Sequence, residues 1–93
     1  MTTSRDTDTL VASRQTTHGD FTDHARCTQH LKLTIDLEVA VRHDRGQPPL
    51  SSTQRESVDM ILHKLGRIIA GDPSFQDHWD DIAGYARIAN GQG

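Results

Sequence analysis

The stretch from Thr53 to Ile69, TQRESVDMILHKLGRII, decides the fold. Val58, Ile61, Leu62, Leu65, Ile68 and Ile69 recur at helical spacing and, at 100° per residue, cover an arc of about 120°. No other stretch has so strong a period. In Thr53-Gln54-Arg55-Glu56 the hydroxyl and the carboxylate have the spacing of a capping box, so the helix is expected to begin near Gln54. Gly71 and Pro73 follow in the order that ends one.

On the C-terminal side, Ser74-Phe75-Gln76-Asp77 repeats the capping pattern with Asp in place of Glu. Trp79, Ile82, Ala83, Ala86 and Ala89 then supply an apolar stripe that ends near Asn90 and Gly91. On the N-terminal side, Arg45-Gly46-Gln47-Pro48-Pro49 cannot continue a helix and forms the main linker, near residues 45–52. Before it, Asp20 is placed to cap a helix from Phe21 to about His43, with Phe21, Ala25, Thr28, Leu31 and Ile35 facing inward. Leu31 to Leu37 alternates as a strand would, but helical signals flank it on both sides, and it is read as helix. A short helix from Thr7 or Asp8 to about Gln15, carrying Leu10 and Val11, is expected before the break at Gly19. Residues 1–8 are rich in Thr and Ser, lack the apolar core of a secretory signal, and are expected to form a frayed tail before a single domain over residues 9–91. The expected architecture is all-α, a small four-helix bundle.

Composition narrows the function. The chain has 93 residues, of which 33% are hydrophobic, so burial is thin and completion of the core by self-association, as a homodimer or higher assembly, is expected. Ten basic against thirteen acidic residues give a net charge of −3, and the mean hydropathy is −0.64, which disfavours groove binding to duplex DNA. The single cysteine, Cys27, excludes an internal disulfide framework and reads as a small buried residue of a cytoplasmic protein. No apolar run approaches the length of a membrane span. Neither a Walker A loop nor a Gly-x-Ser-x-Gly elbow occurs, which removes P-loop phosphoryl transfer and serine hydrolysis.

The remaining polar residues suggest two kinds of chemistry. Asp59, His63 and Arg67 follow one another at four-residue steps, with Lys64 near the opposite edge of the apolar arc; the row reads either as simple salt bridges or as a phosphate or metal site. Asp77, Asp80 and Asp81 crowd three acids into five positions, and a divalent cation would turn their repulsion into coordination; the alternative is a merely acidic helix start. Gly66 and Gly84 lie inside helices beside these acids, where they either let helices pack closely or leave a notch for a ligand. His18-Gly19-Asp20 leads into a helix start whose free amides attract anions. The six histidines include no compact His-x-x-x-His pair, which disfavours zinc.

Three segments, His18-Gly19-Asp20, Asp59 to Ile68 and Asp77 to Ala86, together resemble a family of small phage and prophage proteins of unknown function. That family's pattern is similar to the C-terminal part of an atypical phage nucleotide kinase without a P-loop. The likeness runs from about Thr16 to Ala89, interrupted around the double proline, and its most specific part is Asp-x-Trp-x-Asp-x-Ala-Gly-Tyr-Ala over residues 77–86. A looser similarity links Asp81-Ile82-Ala83-Gly84-Tyr85 to the last helix of MazG-like all-α nucleoside triphosphate pyrophosphohydrolases, which hold Mg²⁺ on acidic helix pairs; His78 stands where those have a Glu. These resemblances imply a protein of the bacterial host cytoplasm that binds nucleotide phosphates and processes them with Mg²⁺ in a pyrophosphohydrolase-like or kinase-like way. The other expectation is a non-catalytic phage accessory protein that binds a host protein or sequesters a signalling nucleotide. For the first, Asp59, Asp80 and Asp81 are the expected metal ligands and Lys64, Arg67 and His18 the phosphate ligands. Asp20, His63, Gly84 and Tyr85 line the pocket, and no catalytic residue is assigned.

Overall fold

The computed structural model describes residues 19–91, and every described regular element is helical: α1 (Phe21–Asp44), α2 (Ser52–Ala70) and α3 (Gln76–Ala89). The short helix expected before Gln15, the tail before it and His18 lie outside the described residues. α2 packs against both α1 and α3, and those two do not pack against each other.

Each helix boundary has a local cause. α1 ends where Gly46 takes a left-handed φ of +70°; the Gly46 amide donates to the His43 carbonyl and the Gln47 amide to that of Arg42, the paired bonds of a Schellman ending. Arg42 closes the corner by donating from Nε to the Pro48 carbonyl at 2.6 Å. α2 begins earlier than its sequence suggests. The capping box is made by Ser51 and Gln54, with the Gln54 amide on Ser51 Oγ at 3.0 Å and the Ser51 amide on Gln54 Oε1 at 2.9 Å, and not by Thr53 and Glu56. Thr53 already lies inside the first turn. α3 does not use its expected box either. Ser74 donates its amide to Asp72 Oδ1 at 2.9 Å in the preceding turn, and Phe75 stands at the N-cap with no side-chain cap.

The apolar core is small. Among the described residues only Leu62 and Ile68 are buried apolar side chains, whereas His24, Thr28, Ser57 and His78 are buried polar ones. Ile69, at the last turn of α2, is 72% exposed, and Phe21, expected inside, is 75% exposed. α3 is rotated from its expected stripe. His78 is buried with Ile82, Tyr85 and Ala89 partly covered beside it, while Ala83 and Ala86 face solvent. Trp79 turns outward because its indole donates to the Pro73 carbonyl at 2.8 Å, which fastens the α2–α3 turn.

Candidate functional site

α1 and α2 approach closely where they cross, and Gly66 makes the contact possible. A Cβ there would run into Thr28 Oγ1 and come within 2.9 Å of His24 Cδ2. Without one, His24 reaches the α2 backbone and donates from Nε2 to the His63 carbonyl at 3.2 Å. That bond fixes the tautomer with the proton on Nε2. The His24 and His63 rings meet edge to face, 4.6 Å apart. From the other side, α3 contributes His78, 1% exposed, with its ring edge-on to Phe75 at 4.9 Å.

Burial and nearby cations keep two of these imidazoles neutral. Desolvation lowers the pKa of His24, its bond to the His63 carbonyl works against this, and the charges of Arg67, His78 and Lys32 lower it further. His63 is pushed down to about 4, first by burial and then by the charges of Arg67, His24, Lys64 and Lys32.

Two basic residues of α2 rim this neutral centre. Lys64 has only 12% of its side chain exposed and places Nζ 2.9 Å from Asp81 Oδ2 on α3. That hydrogen bond, more than any other influence, holds the Asp81 carboxyl below its ordinary pKa. Arg67 is half-buried, and its charge reaches His24, His63 and Asp81. Among the described residues no carboxylate lies within ion-pair distance of Arg67. With the two imidazoles neutral and Lys64 balanced by Asp81, Arg67 is the basic residue of α2 left in this cluster with no carboxylate partner among the described residues, and Lys32 of α1 adds its positive charge to the same rings.

The expected metal ligands do not come together. Asp59 faces Arg55 one turn back, with Oδ1 3.4 Å from Nε, and Arg55 also binds Asp36 of α1. Asp81 is engaged with Lys64, and Asp80 is exposed on the solvent side of α3 with Gly84. A Cβ at Gly84 would meet nothing within 4 Å, so this glycine is neither a packing contact nor the floor of a notch. No three His, Cys, Asp or Glu side chains converge for a metal ion among the described residues. In this geometry Asp59 and Asp81 serve as counter-ions to Arg55 and Lys64.

The other expected pocket residues are dispersed. Asp20 stands at the N-cap of α1 without a side-chain cap bond. Tyr85 lines a depression of about 360 Å³ with Ser52, Thr53, Glu56, Ser57 and Ile88, one that includes none of the histidines. Lys64, Arg67 and His63 do come together, and the structure adds His24 and His78, which sequence reasoning missed. Their signal was present: His78, Ile82, Tyr85 and Ala89 have helical spacing, but a histidine is not counted as an inward residue. Equally unforeseen is an apolar cleft of about 580 Å³ at the linker, lined by Val39, Pro49 and Leu50 with Arg42 and Arg55 on its walls. No helix among the described residues is long and apolar enough to cross a membrane. No family model matches the chain, and neither does any curated protein or solved structure compared with it.

Proposed function

We propose that the chain binds a nucleotide or nucleotide-derived phosphate at the junction of its three helices. The observation that carries this reading is Arg67, a half-buried guanidinium with no carboxylate at ion-pair distance among the described residues, set beside imidazoles held neutral. Such a charge is satisfied by an anion from solution, and a guanidinium's donor fork matches phosphate oxygens. Lys64 adds a second cation by sharing its ammonium between Asp81 and the ligand, and His63 and His24 supply uncharged imidazoles beside it. The resemblance of Asp59 to Ile68 and of Asp77 to Ala86 to a phage nucleotide-kinase pattern supports a nucleotide as the source of the phosphate. On this reading the protein acts in the bacterial host cytoplasm, and self-association completes its thin core.

The experiment is a titration of the full chain with inorganic phosphate and with nucleoside mono-, di- and triphosphates, with and without Mg²⁺, following melting temperature and product together. Ligand binding to the native state raises the melting temperature by mass action. Arg67→Gln should weaken binding by about tenfold to a hundredfold, the loss expected for a charged hydrogen-bonding partner. Asp81→Asn separates two mechanisms. If the phosphate is held by Lys64 and Arg67, removing the competing carboxylate preserves or strengthens binding. If Mg²⁺ on Asp81 holds it, binding in the presence of Mg²⁺ is lost. Released pyrophosphate or a transferred phosphate would identify a pyrophosphohydrolase-like or kinase-like enzyme, whereas saturable binding without product would identify a sequestering protein. No thermal shift with any phosphate would refute the proposal.

A further inference from the structure

His63 stands on α2 one helical turn before Arg67, so the two side chains share a face of the helix. Its ring is half-buried and meets the His24 ring edge to face at 4.6 Å. The bond from His24 Nε2 uses the His63 backbone carbonyl, and no hydrogen bond within the described residues engages the nitrogens of the His63 ring.

The charged groups around this ring come from all three helices. α1 contributes His24 and the charge of Lys32, and α2 contributes Arg67 and Lys64. From α3 come His78, whose charge acts on His24, and Asp81, whose carboxylate is held by Lys64. Asp59, one turn before His63, faces Arg55. No acid is among the groups that act on the His63 ring. A terminal phosphate, by contrast, carries about 1.5 to 2 negative charges near neutral pH. Arg67 supplies one positive charge, and that of Lys64 is divided with Asp81. What the balance lacks is one more positive charge on the same face.

We infer that the phosphate proposed to bind at Arg67 enters together with a proton from solvent, held on His63, whose imidazolium then donates to a phosphate oxygen. This deepens the phosphate reading and rests on it. In the free chain, burial and the surrounding cations hold His63 down at about 4, and an anion beside Arg67 opposes those cations and raises it. His24 is the poorer carrier, because it is 4% exposed and its Nε2 proton is engaged by the α2 backbone. A group that gains proton affinity in the complex makes the complex tighter as pH falls, by up to about tenfold per pH unit between its free and bound midpoints. Above both midpoints the anion is held without that proton. The site therefore takes up phosphate more tightly in mild acid and releases it toward alkaline pH.

Calorimetric titration of the full chain with inorganic phosphate at about pH 6, in two buffers of different ionisation enthalpy, counts the protons exchanged on binding. The protons exchanged by phosphate itself are common to wild type and His63→Gln, so the difference between the two chains belongs to His63. Wild type should take up more protons than the variant. Its advantage in affinity should grow about fivefold or more between about pH 7.5 and about pH 5.5. Equal proton counts, with phosphate bound by both chains, would overturn the inference and leave the phosphate reading standing. Absence of phosphate binding by wild type at either pH would remove both. If His63→Gln fails to fold, the wild-type chain decides alone. NMR titration of the histidine ring protons should show the His63 midpoint rising by about one pH unit or more on saturation with phosphate, and an unmoved midpoint sinks the inference.

Discussion

Gly66 and Gly84 occupy the same kind of position, the middle of an amphipathic helix next to acidic residues, and serve opposite ends. At Gly66 the missing Cβ is filled by Thr28 and His24 of the neighbouring helix; at Gly84 the same space opens on solvent. A helical glycine costs about 0.8–1 kcal/mol relative to alanine wherever it occurs. At Gly66 that cost is offset by close approach of two backbones and the hydrogen bond this permits, and at Gly84 nothing in the fold offsets it. Only the partner helix, and not the helix that contains the glycine, distinguishes the two.

The sharpest way to break this contrast is to place a methyl group at both positions. Gly66→Ala should destabilise the fold by about 2 kcal/mol net, because the penalty of overpacking against Thr28 and the His24 ring exceeds the gain in helix propensity. Urea unfolding reads the change directly, and a neutral result would mean that α1 can shift away from α2 at no cost. Next in size is the response of the same interface to acid. His24 and His63 are held neutral in the fold, while the unfolded chain titrates near the ordinary histidine value of 6.5. The unfolded state therefore takes up protons first as pH falls. The stability associated with these rings is complete above about pH 6.5 and is lost as pH drops toward about 4. Allowing for partial solvent screening, thermal melts at pH 7 and pH 5 should differ by about 1 kcal/mol in favour of the higher pH. A flat profile would place both rings in water.

On the exposed side the expected sign reverses. Gly84→Ala should stabilise by about 0.8 kcal/mol, and a loss in its place would reveal a contact on that face with another molecule. Smallest of all is the ion pair at the rim of α2 and α3. Because Asp81 is about half exposed, Asp81→Asn should cost about 0.5 kcal/mol or less, measured by the same denaturation and diminishing with salt.

Much of the described architecture was legible in the sequence. The helices ending at Asp44, Ala70 and Ala89 announce themselves through period and through Gly46, the double proline, Gly71 and Pro73. Residues 31–37, which alternate like a strand, are helical because long helical propensity on both sides outweighs a seven-residue pattern. What could not be read was the rotation of each helix about its axis. Transfer energies put Trp79 inside and His78 outside, yet the indole finds a hydrogen bond to Pro73 at the surface and the imidazole fills the gap between helices. That Lys64, Arg67 and His63 would be neighbours was legible from their spacing along one helix. Pairing across helices, as between Lys64 and Asp81, could not be read, because it leaves no trace in spacing along one chain.

The order in which the helices meet follows from the length of chain between them. Lys64 and Asp81 are 17 residues apart, across the turn at residues 71–75, whereas His24 and His63 are 39 residues apart, across the linker at residues 45–51. Closing the longer loop costs more chain entropy before any contact rewards it. The contact of α2 with α3 at Lys64 and Asp81, like that of α2 with α1 at Arg55 and Asp36 across 19 residues, should therefore form before the N-terminal half of α1 closes onto α2 at His24. Substitutions around Lys64 and Asp81 will then act mainly on the folding rate, and Gly66→Ala mainly on the rate of unfolding. The polar seam at His24 thus governs how long the finished fold persists more than how quickly it is reached.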